Sequence, residues 1–240
     1  MEDLQFHFQP KVDVQNKRLM GYEVLLRNNE QNPYYPAAKM AEVIHDRKEH
    51  SLFLKWFQEE LMRLVDLCPT VQFSINFAPK QLFYPETHVF FTEMQPYAKQ
   101  LTIEITEDAP FFTASNDTIN SLTIDQHFLS IFASIKEKGY CIALDDVGSG
   151  RNSLEEVLKY TPYLDQIKFS MVNCSKKKIN EATLQLFLHA WKRFSEDYQL
   201  DFIIEGVENQ EMSDELKEQG MFLQQGYYFG KPSKCIKTGY

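Results

Sequence analysis

Eight short apolar runs, rich in β-branched and aromatic residues, punctuate the chain at 4–8, 19–26, 71–77, 101–106, 140–147, 163–169, 201–207 and 222–229. Most of the later runs are separated by segments of helical composition, at 37–67, 121–138, 152–159, 180–198 and 210–219. Two of these segments close on Lys-Glu-Lys-Gly139 and Lys-Glu-Gln-Gly220, the residue order that ends a helix. Strand followed by helix, repeated, makes right-handed crossover units, which either close into a barrel or lie in an open doubly wound sheet. The start of the chain departs from this rule. Gln15-Asn16-Lys17 is a polar turn too short for a crossover helix, so the first two strands are expected to run antiparallel.

A chain of 240 residues has the usual length of one α/β barrel, and no Pro/Gly/Ser-rich linker or repeat divides it, so one domain over 1–240 is expected. With 25 basic against 34 acidic residues the net charge is −9, which argues against a nucleic-acid groove that neutralises many phosphates. Cys68, Cys141, Cys174 and Cys235 are far apart and form no Cys-x-x-Cys pair, so neither zinc nor a disulfide framework is expected. The N-terminus lacks a basic, then apolar, leader, and no run approaches the roughly 18 apolar residues of a membrane span. A cytoplasmic setting, off the membrane, is the expectation.

Several strand-like runs end on acids. Tyr-Cys-Ile-Ala-Leu-Asp145-Asp146 stops on two, and side-chain alternation in Leu-Thr-Ile-Glu104-Ile turns Glu104 away from Ile103 and Ile105, toward a barrel axis or a crevice. Glu23, Asn76, Lys168 and Glu205 read the same way, mostly toward the C-terminal ends of their strands, where barrels of this class carry their active sites. If Glu23, Glu104, Asp145, Asp146, Glu205 and Glu208 converge, they face only Arg27 and Lys168, and partial burial makes that excess of negative charge costly. Carboxylates with one Asn amide form a hard oxygen shell suited to Mg²⁺ or Mn²⁺. Taken singly, each acid reads as a helix cap or a surface ion pair.

These residues spell a pattern that resembles the EAL domain, a bacterial phosphodiesterase family that linearises cyclic di-GMP. The resemblance is carried by Phe-Gln9-Pro-Lys-Val-Asp, Gly-Tyr-Glu23-Val24-Leu-Leu-Arg27, Ser-Ile-Asn76-Phe-Ala-Pro, Glu104-Ile-Thr-Glu107, Asp145-Asp146-Val-Gly-Ser-Gly150, Ile-Lys168, Glu205-Gly-Val-Glu208 and Gln225-Gly-Tyr-Tyr-Phe. It implies a modified TIM (β/α)8 barrel with its first strand antiparallel, and a stand-alone EAL protein. By resemblance Glu23, Asn76, Glu104 and Asp145 hold one metal and Asp146 a second. Lys168 and Glu205 position or activate the attacking water, and Gln225 supports the site. Gln9 and Arg27 contact substrate, Arg27 through a phosphate, while Glu107 holds the loop after Asp146. A homodimer with its interface near that loop is implied as well.

Two departures from the family pattern bear on the site. Val24 replaces the Ala of the name-giving motif beside Glu23, a change that leaves the carboxylate intact. Phe169-Ser170 stands where the family has Ile-Asp, so an acid expected near the second metal is missing, and weaker binding of that metal follows. Every other matched metal or water position is intact, so turnover of cyclic di-GMP is the first expectation. A module that binds cyclic di-GMP or a protein partner without turnover is the competing one.

Overall fold

The structure, a computed structural model, describes residues 1, 3–107, 121–149, 152–172 and 179–237, with only the backbone for 121–124. Gly150 and Cys174 of the sequence reading lie outside the described residues. Eight strands form one closed barrel in sequence order: β1 (Leu4–Asp13), β2 (Arg18–Asn28), β3 (Phe73–Phe77), β4 (Leu101–Ile105), β5 (Cys141–Leu144), β6 (Gln166–Ser170), β7 (Asp201–Glu205) and β8 (Leu223–Gln225). β1 runs antiparallel to both neighbours, β2 and β8, and every other pair is parallel. The expected antiparallel start is present because Asp13 builds the turn: its Oδ1 accepts from the backbone N–H groups of Gln15 and Asn16, both at 3.1 Å.

Seven α-helices are described around the barrel: α1 (Ala37–His45), α2 (Arg47–Leu67), α3 (Pro85–Glu93), α4 (Ser121–Glu137), α5 (Leu154–Tyr160), α6 (Glu181–Tyr198) and α7 (Gln210–Glu218). The expected helix over 37–67 is two helices. Asp46 is extended between them and accepts from the N–H groups of Lys48 and Glu49, capping α2. Asn180 and Asn209 cap α6 and α7 in the same way. The sequence reading placed nothing between 77 and 101, where α3 and two 3₁₀ turns lie. Pro85 at the first helical position starts α3, and its short, β-branched sequence carries little helical periodicity.

The barrel is apolar outside and polar inside. Phe73, Ile75, Ile103, Ile105, Ile142, Leu144, Ile167, Phe169, Phe202 and Ile204 are buried between strands and helices. Alternation sends Ser74, Thr102, Glu104, Gln166, Lys168 and Glu205 the other way, into the lumen. Such a lumen cannot be held together by hydrophobic burial, so its polar groups must satisfy one another.

Candidate active site

Lys168 is the hub of the lumen. Its side chain is 0% exposed, and its Nζ lies 2.6 Å from Glu104 Oε2, 2.7 Å from Glu205 Oε1 and 3.2 Å from Asp145 Oδ1. An ammonium has three hydrogens, which these three acids use; Glu23 Oε2, at 3.6 Å, is an ion-pair neighbour. Burial opposes a charged lysine, but the surrounding acids, Asp145 first among them, hold Lys168 well above its usual range.

The acid from β2 is fixed by amides. Asn76 Nδ2 donates to Glu23 Oε1 and Gln225 Nε2 to Glu23 Oε2, both at 2.7 Å. This orientation leaves Asn76 Oδ1, an acceptor, as the atom of that side chain able to ligate a cation. Glu104 is held from below as well: Lys11 Nζ donates to Glu104 Oε1 at 3.1 Å and to Ser74 Oγ at 2.7 Å. The expectation that the acids face only Arg27 and Lys168 is thereby corrected, since Lys11 is a further buried cation among them. Lys11 escaped notice because the first strand-like run was read as ending at Phe8, whereas β1 continues to Asp13. Lys11 then falls two residues after Gln9, on the same strand face.

On the far side, Asp145 and Asp146 leave β5 in a tight turn. Asp146 takes a left-handed backbone (φ 48°), which Asp tolerates better than most residues. Its N–H donates to Asp145 Oδ1 at 3.0 Å. The Asn152 side chain donates to the Asp145 carbonyl, while Val147 N–H reaches the Lys168 carbonyl at 2.9 Å. Asn152 is thus a second positioning residue that sequence reading passed over.

Single oxygens of Asp145, Asp146 and Glu205 lie within 4.8 Å of one another, a spacing that a metal ion could bridge. With only oxygen donors around it, this cluster fits a hard divalent cation. Burial is the main force raising Asp145 well above its usual range, and it brings Glu205 up to about 7; in both cases Lys168 pulls the other way.

Gln9, Glu23, Asp145, Ser170, Glu205, Glu208, Gln225 and Tyr227 line a cleft of about 320 Å³ at this mouth. Two glycines shape it by close approach. A Cβ on Gly206 (φ +79°) would lie 2.5 Å from Val172 Cγ2, and one on Gly226 would lie 2.1 Å from the Val207 carbonyl oxygen. Each follows a site residue directly, Glu205 and Gln225. Of the remaining sequence candidates, Gln9 donates to the Gly230 carbonyl at 3.2 Å. Arg27 is half-buried and donates through Nη1 to the Leu26 carbonyl at 2.7 Å. Glu208 is an exposed residue at the cleft rim, and Glu107 is half-buried just beyond β4. An apolar chamber of about 240 Å³, walled by Val24, Met40, Phe53 and Phe57, adjoins the cleft and shares Glu23 and Asp145 with it.

A closed barrel of mixed direction with an acid-rich mouth defines a class of protein, and sequence comparison specifies it. The EAL domain model matches residues 1–232, and the chain belongs to that family. It is 27% identical over 240 residues to the probable cyclic di-GMP phosphodiesterase PdeN of Escherichia coli strain K12, covering 94% of this chain and 42% of that protein. It is 24% identical over 241 residues to the cyclic di-GMP phosphodiesterase RocR of Pseudomonas aeruginosa, covering 96% of this chain and 57% of that protein. The chain thus spans about half the length of these curated relatives. Among solved structures, BlrP1 of Klebsiella pneumoniae in complex with calcium and cyclic di-GMP superposes with a TM-score of 0.77 at 24% identity, over 98% of this chain and 57% of that one. The PaMucR phosphodiesterase, in complex with c-di-GMP, gives a TM-score of 0.72 at 20% identity, over 96% and 92%. At these identities the likeness establishes the fold. No helix among the described residues is long and apolar enough to cross a membrane.

Proposed function

We propose that this chain hydrolyses cyclic di-GMP to linear pGpG with the help of Mg²⁺ or Mn²⁺. The observation that carries the reading is the convergence, at one barrel mouth, of acids from β2, β4, β5 and β7 around Lys168, with Asp145, Asp146 and Glu205 at metal-ligand spacing. Glu23, Asn76, Glu104 and Asp145 would hold one cation, and Asp146 with Glu205 would serve a second. A bound divalent cation supplies charge neutralisation at the phosphoryl oxygens and acidifies a water.

The protein's own side chains account for the rest. Glu205 lines the cleft and, as a carboxylate, takes the proton of the attacking water as its oxygen bonds to phosphorus and the bond to the 3′ oxygen breaks, that oxygen leaving with a proton from solvent. Lys168 fixes the Glu205 carboxylate through Oε1 and sets its orientation. Arg27 spends one N–H on Leu26, and its other donors suit a substrate phosphate. Gln9 and Gln225 line the cleft where the substrate would lie. Glu107 would brace the loop after Asp146. Leu154 and Leu158, exposed on α5 just past that loop, offer apolar surface for the homodimer that goes with this reading; a cytoplasmic setting goes with it too. Incubation of purified protein with cyclic di-GMP and Mn²⁺ or Mg²⁺, followed by chromatography, is expected to yield pGpG. No product at high enzyme concentration overturns the reading.

Ser170 favours a second reading. It lines the cleft beside Glu205, its register partner on β7, and brings no charge to a second cation. A binding module that takes up cyclic di-GMP without cutting it would show calorimetric binding and no pGpG. Hydrolysis restored in Ser170→Asp would locate the defect at that residue.

A further inference from the structure

Glu104 is fully buried, and both of its carboxylate oxygens are engaged: Oε2 by Lys168 at 2.6 Å and Oε1 by Lys11 at 3.1 Å. Lys168 belongs to the acid cluster at the mouth, whereas Lys11 comes from elsewhere. It sits on antiparallel β1, where Gln9 lines the cleft and Lys11 lies one inward-facing step closer to the barrel floor. Lys11 lines a lower chamber of about 180 Å³ with Thr102, Cys141, Gln166 and Gln224, and is absent from the wall of the cleft. The β1–β2 register slips at this point, pairing Lys11 with Gly21 but Val12 with Leu19, so that Met20 is skipped. A slip of this kind re-aims side chains. A lysine inside a barrel is costly to desolvate, and a buried ion pair by itself is weak evidence of added stability. What this lysine does supply is orientation. A carboxylate gripped at both oxygens by two ammoniums from different strands cannot turn about its terminal torsion, and Ser74 Oγ in turn fixes Lys11.

We propose that Lys11 is a positioning residue: from beneath the site it locks the Glu104 carboxylate in the orientation in which that group presents a lone pair to a divalent cation at the mouth. The proposal rests on the reading of Glu104 as a metal ligand. Partners that orient metal ligands typically contribute 10- to 100-fold in metal affinity or activity. The test compares the wild-type chain with Lys11→Met, close in length and uncharged, by Mn²⁺ calorimetry without substrate and by turnover of cyclic di-GMP. Lys11→Met is expected to bind Mn²⁺ about 10-fold more weakly and to lose about 10-fold in kcat. Its KM for the nucleotide should stay within about 2-fold, as befits uniform substrate binding left intact. Ser74→Ala, which frees Lys11 without removing its charge, is expected to weaken Mn²⁺ binding in the same direction by a smaller factor.

Equal or tighter Mn²⁺ binding in Lys11→Met overturns the proposal, because the ammonium would then merely repel the cation. Should Lys11→Met fail to fold, Ser74→Ala decides, and unchanged Mn²⁺ affinity in it overturns the proposal. A wild-type chain that binds Mn²⁺ but makes no pGpG overturns the hydrolase reading alone, since the Mn²⁺ comparison still stands. One that binds no Mn²⁺ overturns the role assigned to Lys11, and pGpG formation with Mg²⁺ then decides separately on hydrolysis.

Discussion

Glu104 on β4 and Asp145 at the end of β5 are acids on neighbouring strands, both within reach of Lys168, yet their surroundings push them in opposite directions. Burial works against charge at each. At Glu104 the two ammoniums of Lys168 and Lys11 outweigh it and bring the carboxyl down to about 2. At Asp145 Lys168 alone opposes burial, and Glu205, Glu104 and Glu23 add to it, so the carboxyl is raised well above its usual range. Two kinds of half-site result. The β1–β4 half has a cation of its own, Lys11, besides its share of Lys168, and its acids are further held by Ser74 and Asn76 and by Gln225 of β8. The β5–β7 half, with Asp145, Asp146 and Glu205, shares one ammonium and carries the demand for further positive charge.

The largest expected effect comes from removing the cation that joins the halves. Lys168→Met leaves buried acids uncompensated and should cost about 3–5 kcal/mol in urea unfolding, as breaking buried pairs does. A loss below about 1 kcal/mol would mean that the acids simply protonate, and the contrast between Glu104 and Asp145 would fail.

Next comes acid, which strikes the β1–β4 half through His50. His50 is fully buried, and its tautomer follows from its partners. Thr87 Oγ1 donates to the Gln81 carbonyl at 2.6 Å, so it accepts from His50 Nε2–H at 2.8 Å, and the bare Nδ1 accepts from Gln81 Nε2 at 3.3 Å. Gln81 Oε1 in turn accepts from Ala78 N–H, two residues past Asn76. Burial lowers the imidazole from 6.5 to about 4. The folded chain therefore resists a proton that the unfolded chain takes up; the stabilisation is complete above pH 6.5 and lost as pH falls to 4. The drop amounts to about 3 kcal/mol. Measured relative to His50→Gln, which cancels the other titrating groups, wild-type stability should fall by that amount from pH 7 to pH 4. A flat difference would show that the Asn76 side tolerates charge at His50.

The smallest effect concerns the metal-demanding half. Mn²⁺ at about a hundred times its dissociation constant should stabilise the metal-stripped protein by about 2.7 kcal/mol, a rise in Tm of roughly 5–10 °C. Because Glu205 titrates at about 7 and Asp145 is raised as well, uptake of Mn²⁺ at pH 6.5 should also release protons, on the order of one. Binding enthalpies in buffers of different ionisation heat measure the release. No release would mean that both halves are already fully charged.

Much of this was legible from residue order. Alternation in Leu-Thr-Ile-Glu104-Ile placed the acid inside, and the brevity of Gln15-Asn16-Lys17 gave the antiparallel start. Less was legible where chemistry depends on distant partners. Lys11 and Glu104 are 93 positions apart, and no local pattern marks their contact. Asn152 carried no local signal, since its bond to the Asp145 carbonyl depends on how the loop folds back. On α6, Trp191 is buried while Phe187, four residues earlier, is 52% exposed, so helical spacing alone does not say which aromatic residues join the core.

The sequence by itself determined which faces of which strands are polar, since strand periodicity is a local property, and with it the order of acids and amides along the chain. Only the tertiary structure decided how the charges share counter-ions. Closing the barrel brought one lysine against four acids and a second lysine beneath one of them. The energy of a buried charge depends on distances between strands, which residue order does not contain.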